Sequence, residues 1–151
     1  RNVRILVDTA GESLKNTLAY KPFLIKPNHH ELGELFGVEI HSKEEVCFYA
    51  KKMQEMGALN VLVSMASEGA VFIDENGKTY EQSAPMGEVK NSVGAGDSMV
   101  AGFLAGYLEQ ENYAKAFSMG VCTGSASAFS KELATKQEVQ ELLDKNRKLF
   151  E

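Results

Sequence analysis

Short apolar runs alternate along this chain with longer segments whose apolar residues recur three or four positions apart. Runs of about four to eight apolar or β-branched residues, bounded by turn residues, are typical of buried strands. This pattern predicts strands over residues 4–9, 23–26 and 60–65. It also predicts a β-hairpin of residues 70–74 and 79–82, turning at Asn76-Gly77.

Helical spacing accounts for most of the remaining chain. The predicted helices cover residues 13–20, 28–37, 43–56, 98–108, 113–129 and 136–148. Ser42 is expected to cap the third of these helices, and Thr135 with Glu138 has the spacing of a capping box at the last one. The inner face of the third helix is expected to carry Val46, Ala50, Met53 and Met56.

Strands that alternate with helices indicate a mostly parallel sheet with helices on both faces. A chain of 151 residues with 44% hydrophobic content is long enough for one core. We therefore expect an α/β fold in which residues 1–151 form a single domain and the hairpin extends the sheet.

Charge and composition exclude several classes of partner. The formal net charge is −5, whereas nucleic acids and anionic membranes attract proteins with clustered Lys and Arg. No apolar run approaches the length of a membrane span, and no leader is recognisable, so we expect a cytoplasmic protein. Cys47 and Cys122 are expected to be reduced core residues. The adjacent His29 and His30 should diverge on a helix, and with His41 they are interpreted as structural.

The segment Asn91-Ser-Val-Gly-Ala-Gly-Asp97-Ser98 places a carboxylate and two glycines where an apolar helix begins. Helix N-termini present free N–H groups, and glycines let a phosphate approach them closely. Asp97 is then either a general base in phosphoryl transfer or simply the cap of the helix. A dinucleotide-binding fingerprint is excluded, because Met99 stands where its third glycine is required.

Two further segments follow predicted strands, at the edge of the sheet where ligands usually bind. Lys26-Pro27-Asn28 leads into a helix with Glu31 three positions after Asn28, a spacing that a capping box explains equally well. The strand-end Lys26 is either solvated or adds a positive charge to a site. The second segment has the character of a plain tight turn with small residues, and comprises Ser64, Met65, Ala66, Ser67, Glu68 and Gly69.

These three segments together resemble the ribokinase-like (PfkB) carbohydrate kinases. The resemblance implies a three-layer α/β/α fold, ATP and Mg²⁺ as cofactors, and a homodimer in the full-length protein. Within the family, the residues are most similar to the enzymes that phosphorylate fructose 1-phosphate to fructose 1,6-bisphosphate, and nearly as similar to those that act on tagatose 6-phosphate. The similarity covers about the C-terminal half of such an enzyme, so the sugar-binding half and the lid are expected to be absent and the fragment inactive by itself.

The resemblance also implies roles for individual residues. Asp97 would be the general base, and the amides of Gly94, Ala95, Gly96 and Asp97 would hold the transferred phosphoryl group, with Gly96 also contacting the nucleotide. Asn28 and Glu31 would organise magnesium and the nucleotide phosphates, Glu31 through water. Ser64, Met65, Ala66, Ser67, Glu68 and Gly69 would bind ATP, although Met65 and Ala66 depart from the usual Leu-Gly.

Two points remain open at this level. Asn91 stands where ribokinase has an Asp that helps to hold a monovalent cation, so the resemblance does not extend to potassium activation. The alternative to a kinase is a catalytically silent nucleotide-binding or scaffold fragment, in which Asp97, Asn28 and Glu31 only start helices.

Overall fold

The computed structural model describes residues 3–147, which divide into two compact units. The first unit comprises the described residues up to Met65 together with Ala70–Glu81. The second comprises Ala66–Gly69 and the described residues from Gln82 onward.

One mixed sheet organises the first unit. Its five strands follow one another in chain order: β1 (Leu6–Val7), β2 (Leu24–Ile25), β3 (Asn60–Ser64), β4 (Ala70–Ile73) and β5 (Thr79–Gln82). Strands β1, β2 and β3 are parallel, and β4 is antiparallel to β3. The turn between β4 and β5 closes where the amide of Gly77 donates to the carbonyl of Asp74 at 2.8 Å. The predicted parallel strands and hairpin are confirmed, although β1 and β2 are shorter than predicted.

Three helices connect these strands: α1 (Gly11–Thr17), α2 (His29–Phe36) and α3 (Lys43–Glu55). Helix α1 continues into a 3₁₀ turn, Leu18–Tyr20, so the predicted helix is confirmed in two pieces. The helices and strands bury a common apolar core that includes Leu14, Leu32, Val46, Met53, Val61 and Val71.

The predicted inner face of α3 is correct at three of its four positions. Val46, Ala50 and Met53 are fully buried, but Met56 is 38% exposed. Met56 follows the last helical residue, so the helical spacing no longer directs it toward the core.

Three helices form most of the second unit: α4 (Ala95–Gln110), α5 (Tyr113–Phe129) and α6 (Lys136–Lys145). Helices α4 and α5 approach closely through glycines. A Cβ atom on Gly102 would lie 2.6 Å from Cβ of Thr123, and one on Gly120 would lie 2.9 Å from the carbonyl oxygen of Met99. The predicted bounds of α5 are confirmed, whereas the predicted end of α6 at Lys148 lies outside the described residues. No helix in residues 3–147 is both long and apolar enough to cross a membrane.

Candidate active site

The glycine-rich turn of the second unit leads directly into helix α4. Gly94 is the N-cap in a left-handed conformation, with φ of 79°, and the helix starts at Ala95 rather than at the predicted Ser98. Glycine adopts this conformation at little cost, whereas an L-residue is disfavoured there. Asp97 is therefore the third residue of the helix, and the interpretation of Asp97 as its N-cap is wrong.

The side chain of Asp97 is exposed in the first turn of α4. Within residues 3–147, its carboxylate has no hydrogen bond or ion pair. The partial positive charge of the helix N-terminus favours an anion at this place. Asp97 is therefore an ionisable group that is available to a ligand rather than used by the fold.

The backbone amides of the turn differ in their availability. The amide of Ala95 donates to the carbonyl of Ser92 at 3.2 Å and thereby closes the turn. This amide was predicted to be a free donor, and that prediction is wrong. The amides of Gly94, Gly96 and Asp97 donate to no acceptor in the part of the chain that the structure describes. We call these three amides the cradle, because free donors at a helix start are suited to an anion.

A buried serine pair fixes the beginning of α4 against α5. The Ser127 hydroxyl donates to the Ser98 hydroxyl at 2.9 Å and accepts a hydrogen bond from the amide of Ala134 at 3.0 Å. Ser98 is the neighbour of Asp97 in the chain, so this contact holds the helical turn that carries the carboxylate. No sequence pattern indicated this pairing, which joins residues 29 positions apart.

In the first unit, Asn28 and Glu31 form a complete capping box at the start of α2. The side-chain oxygen of Asn28 accepts from the amide of Glu31 at 2.9 Å, and Glu31 Oε2 accepts from the amide of Asn28 at 2.8 Å. The structural interpretation of these residues is confirmed. The capping box uses only Oε2 of Glu31 and leaves Oε1 without a hydrogen-bond partner among the described residues.

This donor set suits an indirect contact with magnesium. No group of three His, Cys, Asp or Glu side chains in residues 3–147 is placed to hold a metal ion directly. Magnesium commonly keeps several waters and takes only one or two protein carboxylates, with phosphates completing its shell. One free carboxylate oxygen on Glu31 therefore fits the predicted water-mediated role.

The carboxyl ends of β2 and β3 bring two predicted site residues together. Asn28 and Ser64 form an isolated parallel β-bridge, and the amide of Ser64 donates to the carbonyl of Pro27 at 3.2 Å. Lys26 lies just before them and is buried. Its ammonium group is 3.5 Å from a carboxylate oxygen of Asp8, so Lys26 is not simply solvated. Asp8 directly follows β1 and Lys26 directly follows β2, but no sequence pattern connected the two residues.

The predicted ATP-binding turn consists of two kinds of residue. The side chain of Met65 is buried in the core, which leaves its backbone as the part that could contact a nucleotide. Ala66, Ser67 and Glu68 form an exposed 3₁₀ turn that ends at Gly69, whose φ is 99°. A Cβ atom on Gly69 would collide with the carbonyl oxygen of Gln82, so only glycine fits there.

The cysteines and histidines of residues 3–147 belong to no group of three side chains that could hold a metal ion. Both thiols are free, and burial raises the pKa of Cys122 to about 12. Cys47 is only half-buried, which corrects its prediction as a core residue. The rings of His29 and His30 do not diverge, because their centroids are 3.9 Å apart.

A Gly-Lys-Thr triplet, Gly77-Lys78-Thr79, lies at the end of the hairpin turn. A P-loop joins a strand to a helix and carries another glycine five residues before the Gly-Lys pair, where this chain has Phe72. The triplet is therefore part of the hairpin and not a phosphate-binding loop.

Several known proteins are similar to this chain. Residues 1–140 match the family described as pfkB family carbohydrate kinase. The chain is 52% identical over 143 residues to 1-phosphofructokinase of Bacillus subtilis, covering 95% of this chain and 47% of that protein. It is 33% identical over 132 residues to D-tagatose-1-phosphate kinase of Bacillus licheniformis, covering 87% of this chain and 43% of that protein. The chain thus spans about half the length of the curated relatives it matches.

Solved structures show the same fold. Phosphofructokinase-2 of Escherichia coli, in complex with substrates and products, superposes with a TM-score of 0.86 at 30% identity, over 94% of this chain and 47% of that one. The same enzyme is known in a tetrameric inhibited form. Arabidopsis thaliana ribokinase has a TM-score of 0.78 at 24% identity, over 93% of this chain and 47% of that one. The predicted ribokinase-like fold is confirmed.

Proposed function

This chain belongs to the pfkB family of carbohydrate kinases, and from that premise we propose that it supplies the ATP-binding and catalytic-base half of a kinase that converts fructose 1-phosphate to fructose 1,6-bisphosphate. The observation that carries the proposal is the exposed Asp97 carboxylate beside the unpaired amides of Gly94 and Gly96. The 52% identity to a protein named 1-phosphofructokinase supports the choice of acceptor.

In this mechanism Asp97 accepts the proton of the free primary hydroxyl of fructose 1-phosphate. The hydroxyl oxygen forms a bond to the γ-phosphorus of ATP, and the bond from that phosphorus to the β–γ bridging oxygen breaks. The electron pair of the broken bond leaves with ADP. The cradle stabilises the negative charge on the moving phosphoryl group, because donors that are already oriented need no rearrangement when the charge develops.

The residues proposed for the nucleotide lie in the segments that follow strands β2 and β3. Asn28 would orient a hydrated magnesium ion and Glu31 would contact it through water, and the ion would neutralise charge on the ATP phosphates. The exposed turn Ala66–Glu68, with Ser64 before it and Gly69 after it, offers backbone groups to ATP. Lys26 adds a buried positive charge beside Asn28, partly balanced by Asp8.

A second acceptor is tagatose 1-phosphate, which the name of a 33% identical relative favours. The relative is named for the 1-phosphate and not for the 6-phosphate expected from the sequence. Because the chain spans about half of these proteins, we expect the 151 residues alone to have little or no kinase activity. We also propose a cytoplasmic homodimer, which does not act on nucleic acid, as the working form of the complete protein.

A coupled ADP-release assay of the complete gene product, with a panel of phosphorylated ketoses, tests this function. We expect the highest kcat/KM with fructose 1-phosphate. A higher value with tagatose 1-phosphate would make that sugar phosphate the preferred acceptor. If no ketose in the panel supports ADP release, the kinase proposal is overturned.

A nucleotide titration distinguishes the kinase from a silent scaffold. The kinase proposal expects tighter ATP binding with magnesium than without it, because the ion would join the nucleotide to Glu31. Equal affinity in both conditions would favour the scaffold.

A further inference from the structure

The loop that joins α5 to α6, residues 130–135, contacts the chain on both sides of the cradle. Before the cradle, the side-chain amide of Asn91 donates to the carbonyl of Lys131 at 3.2 Å. After it, Ser127 links the amide of Ala134 to the hydroxyl of Ser98. We call this loop the cradle loop.

Asn91 makes two side-chain hydrogen bonds in opposite directions. Its Oδ1 accepts from the amide of Val93 at 3.0 Å, which shapes the chain as it approaches Gly94. Its Nδ2 donates to Lys131 of the cradle loop. Only a side chain with both a donor and an acceptor makes both bonds, and aspartate lacks the donor when it is ionised.

The backbone around Asn91 is attached to the same end of α5. The amides of Lys90 and Asn91 donate to the carbonyl of Ala128 at 2.8 and 3.1 Å. Ala128 is in the last turn of the helix, where carbonyl groups lack intrahelical partners. The segment before the cradle is therefore fixed by backbone bonds, and the Asn91 side chain adds the connection to the cradle loop.

The cradle loop also reaches Gly94 itself. A Cβ atom on Gly94 would lie 3.0 Å from Cδ2 of Leu133, so the two residues are in close contact. A shift of the loop would change the surroundings of the Gly94 amide directly. Misplacement of a catalytic group by about 1 Å can cost about a hundredfold in rate.

We propose that Asn91 is a positioning residue, which holds the cradle in its productive geometry by joining the Val93 amide to the cradle loop. This inference rests on the proposed function, because the geometry matters for rate only if the cradle receives a phosphoryl group. Asn91 touches neither the acceptor nor ATP in this proposal, and it acts through Val93 and Lys131.

The test compares Asn91→Asp with Asn146→Asp in the complete gene product. Asn146 is a matched control, because its Nδ2 also donates to a backbone carbonyl, that of Leu142 at 2.8 Å, at the end of α6. We expect Asn91→Asp to lower kcat by about tenfold to a hundredfold, while KM for fructose 1-phosphate changes by less than about threefold. Asn146→Asp should keep the wild-type kcat.

A binding measurement separates positioning from a general structural role. ADP with magnesium and aluminium fluoride imitates the phosphoryl group in transfer, whereas ADP with magnesium alone does not occupy the cradle. For Asn91→Asp, the affinity for ADP with magnesium and aluminium fluoride should fall in proportion to kcat. The affinity for ADP with magnesium alone should stay within about threefold of the wild-type value. Asn91→Ala removes both hydrogen bonds and adds no charge, and it should show the same difference between the two ADP complexes. It replaces Asn91→Asp if the Asp variant does not fold.

Each outcome decides the inference. Wild-type kcat in both Asn91 variants, or equal losses of affinity for the two ADP complexes, would overturn it and leave the kinase function standing. A wild-type protein that phosphorylates no ketose would overturn the function and this inference together.

Discussion

The side chains of Asn28 and Glu31 each accept a hydrogen bond from the other residue's backbone amide, at 2.9 and 2.8 Å. One carboxylate oxygen of Glu31 is thereby used by the fold, and the other is left for a ligand. Because glutamine is also accepted at this position of a capping box, the two roles can be separated experimentally.

We predict that Glu31→Gln raises the magnesium concentration needed for half-maximal activity by about tenfold to a hundredfold, the usual effect of losing an outer-sphere partner. The free energy of unfolding should change by less than about 0.5 kcal/mol. A magnesium titration of kcat and a denaturant titration measure the two quantities.

Glu45→Gln is the matched control for this substitution. Glu45 occupies the same position in the capping box of α3, where its Oε2 accepts from the amide of Ser42 at 3.2 Å. It should leave the magnesium requirement unchanged. If both variants need the same magnesium concentration for half-maximal activity, Glu31 acts only as a helix cap.

Asp97→Asn should lower kcat by about a hundredfold to ten-thousandfold, because asparagine does not accept the proton. The loss of one charge in the first turn of α4 should cost less than about 1 kcal/mol of stability. Steady-state kinetics and ATP titration of the complete protein test this, with Glu109→Gln, at the exposed far end of α4, as the control. An Asn variant with wild-type kcat would remove Asp97 from the mechanism.

Gly94→Ala should reduce both stability and turnover. Its φ of 79° is left-handed, which costs an L-residue about 1–2 kcal/mol, and the new Cβ would press against Leu133. Gly77→Ala is the control, since Gly77 has φ of 80° in the hairpin turn and nothing within 4 Å of its Cβ position. Thermal unfolding should respond to both substitutions and kcat only to Gly94→Ala. An equal effect of the two on kcat would contradict a local role for Gly94.

Tyr80 should titrate at unusually high pH. Burial, and the hydrogen bond that its hydroxyl donates to Asp74 at 3.0 Å, raise the pKa of Tyr80 to about 12. Since this pKa lies above the unfolded value of about 10, the contribution of the interaction to stability is complete below pH 10 and is lost as the pH rises through 12.

Tyrosinate absorbance measures this titration, as the difference between the wild type and Tyr80→Phe. Tyr20→Phe removes an exposed phenol and is the control. A Tyr80 difference curve centred near pH 10 would show that the Asp74 contact does not act on Tyr80.

Local signals in the sequence were sufficient to predict the start of a helix where a side chain caps it. Ser42 and Thr135 cap α3 and α6 through capping boxes, and both helices start where predicted. Helix α4 was placed three residues too late, because Gly94 begins it with backbone geometry and no side-chain cap. Patterns of apolar residues and caps do not report a backbone cap of this kind.

Contacts between distant residues could not be predicted in the same way. The pairs Lys26 with Asp8 and Asn91 with Lys131 join residues that only the folded chain brings together. The sequence therefore identified the segments of the candidate site, and the structure was needed to show which groups in them are already engaged.

The glycine contacts between α4 and α5 have a consequence for motion. At Gly120 and Gly124 of α5, a Cβ atom would lie 2.9 and 3.0 Å from the backbone carbonyl oxygens of Met99 and Ala95 on α4, so these two positions have no side chain whose rotation could absorb a sliding of one helix over the other. The two helices should move together as one rigid body, and their amides should exchange with deuterium as a single cooperative unit. Any rearrangement during a catalytic cycle would then begin in the segments that flank this pair.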